Sequence, residues 1–166
     1  MISKRSVLSL FFCGVVIFSL FGMGCKKEAA IKEVKEGKSV AEPASNLFKA
    51  QITADSVPQS AKAGATINIP VKVKNLSDST WPAKTANPVR LAYHWFDKAG
   101  NKVVWDSNRS ILPKDLPPGQ EIPLTVKVEM QKKKGEYVLE IDMVQEKVAW
   151  FKNKGSQTLR FDMVVK

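Results

Sequence analysis

The sequence predicts an all-β domain over residues 47–166, an immunoglobulin-like antiparallel β-sandwich of about seven strands. Three observations predict it. Hydrophobicity alternates with period two in five separate runs, the pattern of strands that bury one face. The runs are separated by turn-forming clusters rich in Gly, Pro, Asn, Asp and Ser. The segment also has the usual length of one sandwich domain, roughly 100 residues or a little more, and is long enough to bury one core.

The elements follow in order. Phe48, Ala50, Ile52 and Ala54 mark a first strand over 48–57. Ile67, Ile69, Val71 and Val73 alternate with Asn68, Pro70, Lys72 and Lys74, giving a strand over 66–75 that ends in Asn75-Leu76-Ser77-Asp78. Val89, Leu91, Tyr93 and Trp95 alternate with Arg90, Ala92, His94 and Phe96, giving a strand over 89–97. The Ala99-Gly100-Asn101 turn leads to a short strand over 102–107. Ile122, Leu124, Val126 and Val128 follow the Pro117-Pro118-Gly119 turn and mark a strand over 120–130. Tyr137, Leu139, Ile141 and Met143 begin a long strand over 136–151, whose length predicts a bulge near Gln145 to Lys147 before Val148 and Trp150 continue it. Leu159, Phe161, Met163 and Val165 form the last strand, over 157–165. Gly135-Glu136-Tyr137 reads as a tyrosine corner, with the phenol bonding backbone across the preceding turn, and Trp95 falls in phase with the core, so Tyr137 and Trp95 are structural residues.

The N-terminal part has a different character. Lys4-Arg5 precede an apolar run from Val7 to Phe21, and Gly22-Met23-Gly24-Cys25 close it. This segment resembles a bacterial lipoprotein signal, which implies cleavage before Cys25 and acylation of its thiol. The layout then is a signal peptide over 1–24, a lipidated Cys25 with a charged tether over 25–46, and the sandwich. An uncleaved membrane anchor or an ordinary secretory signal are the alternatives; Val7 to Gly24 is short for a span, which usually takes about 20 apolar residues. The tether lacks aromatics and is rich in Lys, Glu, Ala and Ser, a composition that cannot bury enough surface to order itself. Extended, it reaches at most ~70 Å. The two cysteines are Cys13, inside the apolar run, and Cys25. The domain therefore has no disulfide, thiol nucleophile or cysteine metal site. The expected location is a bacterial cell envelope, with the domain held to a membrane through Cys25.

The remaining residues give little support for catalysis. His94 is the single histidine and has no ligand partner at a suitable spacing, so neither a metal nor another cofactor is expected. Asp106, Asp142 and Glu146 are the acids of interest, and a hydrolase of envelope glycans using Asp142 or Glu146 is one reading, although no spacing marks out the carboxylate pair such chemistry needs. The other view gives Asp142 and Glu146 to Arg90, Arg109 or backbone. The net charge is +10 and stays at +8 once Lys4 and Arg5 are removed with the signal. That excess either solvates strand faces or attracts anionic lipid or acidic glycan. Nucleic acid is not an expected partner, because the protein is exported and has no basic–aromatic strand motif for stacking bases.

From Ile69 to Phe161 the chain resembles the immunoglobulin-like domain appended to bacterial glycosyltransferases and methyltransferases, which also occurs alone. The likeness rests on Val71-Lys72-Val73-Lys74-Asn75 with Trp81, on Val89 to Trp95, and on Val104-Trp105-Asp106 with Arg109 and Leu112-Pro113. It continues through Pro118-Gly119, Gly135-Glu136-Tyr137, Ile141 to Glu146 and Ala149-Trp150-Phe151. A looser likeness is to the sugar-binding sandwich of O-antigen transporters. The resemblance implies a non-catalytic accessory module and carries no ligand residues with it. The function expected is therefore a binding or structural module of the cell envelope with a glycan or protein partner, and the alternative is a carbohydrate-binding module for envelope polysaccharide. If the strand over 66–75 points upward, the upper loops gather Trp81, Leu116-Pro117-Pro118 and Lys152 to Ser156, with Arg109 nearby. Trp81, Arg109, Trp150, Phe151 and Lys154 are the candidate ligand-binding residues, with Trp81 the candidate exposed ring; Trp105 and Trp150 remain open between core and surface. The Lys132-Lys133-Lys134 turn lies at the opposite end.

Overall fold

Alternating apolar positions fold the chain into two facing sheets in the computed structural model, which describes residues 47–166. The signal, Cys25 and the tether lie outside the described residues. The strands are β1 (Ala50–Thr53), β2 (Ser60–Ala61), β3 (Thr66–Asn75), β4 (Val89–Asp97), β5 (Lys102–Val104), β6 (Ser110–Ile111), β7 (Glu121–Glu129), β8 (Gly135–Gln145), β9 (Ala149–Trp150) and β10 (Leu159–Val165). One sheet has the order β1-β3-β7; the other runs β2-β10-β8-β4-β5, with β6 paired to β4 and β9 to β8. Every pairing is antiparallel except β2 with β10. Two such sheets closed over a shared core form an immunoglobulin-like sandwich.

The core is built from the in-phase residues of both sheets. Ile69, Val71, Val73, Val126 and Val128 face Leu91, Tyr93, Trp95, Leu139, Ile141, Met143 and Met163, and all are buried. Burying each large aliphatic side chain contributes roughly 1.5–3 kcal/mol before entropy is counted. Trp95 is fully buried, and its indole N–H donates to the Glu129 carbonyl at 3.1 Å. The Tyr137 hydroxyl donates to the Lys133 carbonyl at 3.0 Å, tying the start of β8 back across the turn that precedes it.

Three elements differ from the expected ones. The first strand is divided: β1 pairs with β3, and after Pro58 the chain crosses to pair β2 with β10. The strand expected over 102–107 ends at Val104 because residues 105–109 leave the sheet edge, and β6 resumes pairing with β4 further along. The expected bulge near Gln145 to Lys147 is instead a reversal. Lys147 adopts φ 62°, Val148 N–H donates to the Gln145 carbonyl at 3.0 Å, and β9 folds back antiparallel onto β8. Because successive residues of a strand point to opposite faces, this reversal sends Phe151 into the core and Trp150 to the outer face of the sheet.

The free edge of β7 is guarded. Pro123 has no N–H to offer, Glu129 N–H donates to the Tyr93 hydroxyl at 3.0 Å, and the Ser110 hydroxyl donates to the Thr125 carbonyl at 2.7 Å. Edges treated this way resist pairing with other chains.

Candidate functional site

Trp81 belongs to the core, not the surface. It is 2% exposed, forms a bridge to Leu116 through two backbone hydrogen bonds, and meets Phe151 edge to face at 5.1 Å. Phe48 also meets Phe151 edge to face, at 5.2 Å, so Phe151 links two further rings. Beside them Asn75 is fully buried. Its amide donates to the carbonyls of Ser79 and Leu116, both at 2.8 Å. Its side-chain oxygen accepts from the Ser77 N–H at 2.9 Å and the Ser77 hydroxyl at 2.6 Å. Ser77 in turn accepts the Trp81 indole N–H at 3.0 Å. The exposed ring expected in this connection is therefore absent, because the loop folds inward to satisfy these groups. Lys154 is exposed on the short helical turn Lys152–Lys154, which Gly155 ends in a left-handed conformation at φ 86°.

The other aromatic and charged side chains of interest lie on the outer face of β4 and β8. Register places Ala92 opposite Asp142, and His94 opposite Glu140, with Arg160 of β10 next in the same row. This face is covered rather than solvated. Trp105, from the segment that leaves the sheet edge after β5, stacks on His94 at 4.2 Å with 17° between ring planes. Trp150, from β9, meets His94 edge to face at 4.3 Å and 61°, and meets Trp105 at 5.8 Å and 64°. Both tryptophans are half-buried, so each keeps part of its ring at the surface. His94 Nδ1 bonds the Trp105 carbonyl, which makes that nitrogen the N–H donor. Its Nε2 has no hydrogen-bond partner among the described residues and lies 3.8 Å from Asp142 Oδ2.

The acids of this face hold the structure together. Asp142 is fully buried and accepts the Met143 N–H at 2.8 Å and the Lys152 N–H at 3.3 Å. Glu140, 1% exposed, is paired with Lys152 Nζ and with Arg160 at 3.3 Å. Closed off from solvent and already engaged, these two carboxylates have no access to a substrate. Glu146 accepts Arg109 Nε at 2.8 Å, and Arg90 Nε lies 3.8 Å away. Arg109 also donates to Asp106 at 2.6 Å and to the Ser107 carbonyl at 2.5 Å, while its guanidinium lies over Trp150 at 4.9 Å. Burial opposes the charge on Arg109, but the bonds to Glu146 and Asp106 outweigh it and raise its pKa. Of the candidate residues, then, Arg109 and Trp150 meet here, Trp81 and Phe151 meet in the core, and Lys154 stands apart.

Cations border the two tryptophans. Lys102 sits over Trp105 at 4.1 Å, and Lys152 lies 5.3 Å from the same ring and 5.1 Å from Phe96. Contacts of this kind contribute about 0.5–1 kcal/mol each at exposed sites. Lys102, Glu140 and Arg160 were not marked out by sequence reasoning, and Trp105 was left open between core and surface. The available signal was that Ala92, Phe96 and Val144 are apolar on the face that alternation assigns to solvent. Among the described residues, no group of three or more His, Cys, Asp and Glu side chains is arranged to hold a metal ion.

Two depressions adjoin Arg109. A small one of about 290 Å³ is lined by Trp105, Trp150, Gln145 and Glu146. A larger one, about 800 Å³, runs between the segment 106–109 and the turn after β7, with Tyr93, Trp95, Val104 and Met130 as its apolar lining and Lys132 and Lys133 at its rim. Asp106, Arg109 and Glu146 line both.

No family model and no curated protein matches the sequence. Solved structures resemble the chain at low identity. The CARDB domain of a Pyrococcus furiosus protein, in complex with di-metal ions, is 18% identical over 71% of this chain and 86% of its own, with a TM-score of 0.44. The sporulation control protein Spo0M from Bacillus subtilis is 12% identical over 71% of this chain and 49% of its own, with a TM-score of 0.42. A β-glucosidase from Listeria innocua is 14% identical over 70% of this chain but 16% of its own, with a TM-score of 0.44.

Proposed function

We propose that this protein is a membrane-anchored lipoprotein whose sandwich is a non-catalytic binding module of the cell envelope, and that it binds envelope glycan through the outer face of β4 and β8. The observation that carries the reading is the pair of half-buried rings, Trp105 and Trp150, which both pack on His94 and meet each other edge to face at 5.8 Å. Rings held in place this way offer an angled aromatic corner, 64° between planes, at little entropic cost on binding. Asn108, Gln131, Gln145 and Asp106 lie around the same depressions and supply planar polar groups of the kind that bond hydroxyls. An apolar surface with a few polar groups around it is a usual composition for a small-ligand site. The burial of Asp142 and the pairing of half-buried Glu146 with Arg109 favour binding over hydrolysis.

Anchoring rests on the sequence around Cys25 and is tested separately. Cys25→Ser should abolish acyl-chain labelling and release the protein from the membrane fraction. Binding is tested on a glycan array with the full chain in detergent. Wild type should bind envelope glycans, and Trp150→Ala should lose that binding while keeping its circular dichroism spectrum. Unchanged binding by a folded Trp150→Ala would overturn the site.

A further inference from the structure

The two depressions share Asp106, Arg109 and Glu146 in their linings, so they lie next to one another, two compartments of a surface groove divided by these side chains. The larger compartment alone, at about 800 Å³, is in the range that holds a drug-sized ligand, more than one sugar ring fills. Its charges are not evenly free. Three carboxylates, Asp106, Glu129 and Glu146, line it with three cations, Arg109, Lys132 and Lys133; Arg109 is committed to Asp106 and Glu146, and Glu129 keeps its charge while accepting the Asn108 amide at 2.7 Å. Lys132 and Lys133 are exposed and have no ion-pair partner among the described residues. The turn that carries them is not loose, because the Lys133 carbonyl accepts the Tyr137 hydroxyl. The groove therefore has Trp150 in one compartment and two exposed lysines, unpaired among the described residues, at the rim of the other.

We infer that the groove takes an anionic polysaccharide chain, with sugar faces on Trp150 and acidic groups toward Lys132 and Lys133. This rests on the glycan reading above and adds the charge and the extended form of the ligand. It gives the domain's basic excess a specific partner instead of a general attraction to negative surfaces.

The test is affinity electrophoresis of the full chain in neutral detergent, through gels containing alginate or hyaluronan (acidic) or dextran (neutral), with polyglutamate as soluble competitor. The acidic polysaccharides should bind at least tenfold more tightly than dextran, and added salt should narrow the gap. Lys132→Gln with Lys133→Gln, both on exposed side chains, should remove that preference and leave dextran retardation unchanged. Polyglutamate should compete poorly, because it has charge but no sugar face. Equal retardation by acidic and neutral chains overturns the inference and leaves the glycan reading standing. Full competition by polyglutamate also overturns it, as simple charge attraction. No retardation by any of the polysaccharides overturns both.

Discussion

His94 and Trp105 lie ring on ring, 4.2 Å apart and 17° from parallel, although the sequence separates them by a turn and a strand. The contact exists because residues 105–109 leave the sheet edge and cover the outer face of β4. A hydrogen bond from His94 Nδ1–H to the Trp105 carbonyl fixes the pair. This sheet thus buries side chains on both faces, the inner one for stability and the outer one as a rigid aromatic surface.

The first prediction concerns Trp81. Its side chain is buried among Phe151 and Leu116, so Trp81→Ala should cost about 3–5 kcal/mol, the range for large aromatic truncations in cores. Urea denaturation measures it, and a midpoint close to wild type would contradict the packing. Any binding defect of this variant should follow the loss of folded protein.

The tyrosine corner gives a smaller effect. Tyr137→Phe removes one hydrogen bond to the Lys133 carbonyl and should cost about 0.5–1.5 kcal/mol, with more lost if that carbonyl stays unpaired. An unchanged urea midpoint would show that the bond contributes nothing.

Glu140 tests the buried charge cluster. Lys152→Met leaves this carboxylate with Arg160 alone, and it should cost up to about 3 kcal/mol, less than the ~3–5 kcal/mol of a fully stranded buried charge. Replacing Lys152 and Arg160 together should cost more than the sum of the single changes, because each substitution alone leaves a partner in place. Additive costs would mean the two cations act independently.

These residues also show what the sequence could reveal. Period-two alternation placed β3, β4, β7, β8 and β10, since each has one face that must be buried whatever its neighbours do. The reversal after Gln145 was not legible, because it depends on Lys147 taking a left-handed conformation that no glycine announced. Nor was the burial of Trp81, which is settled by a distant partner, Leu116, and by the buried amide of Asn75. Arg109 and Trp150 were singled out individually, but their contact depends on the segment 105–109 and on β9 both folding across one sheet face. Composition carries no record of that.

Tyr93 supplies a pH-dependent effect. Burial, aided by the charge of Glu129, holds its phenol above the ordinary value, against the Glu129 N–H bond that favours the phenolate. Its folded pKa is raised, so the stabilisation is fully present below the unfolded pKa of about 10 and is lost as pH rises from there through the folded pKa. The chain has two tyrosines, so Tyr137→Phe leaves Tyr93 alone to be followed by tyrosinate absorbance. The folded variant should ionise at higher pH than the same variant in denaturant. Ionisation at the same or a lower pH would contradict this environment.

The central claim is that binding occurs on the outer sheet face and not at the loop end. The most direct measurement is titration calorimetry of the full chain in detergent with a glycan retained on the array, comparing wild type, Trp150→Ala and Lys154→Ala. Each variant is checked for folding by circular dichroism. Trp150→Ala should weaken binding about 30-fold or more, since an aromatic anchor contributes about 2 kcal/mol. Lys154→Ala, on the exposed turn at the loop end, should bind like wild type. A folded Trp150→Ala that binds normally, beside a Lys154→Ala that does not, would contradict the account and move the site to the loops.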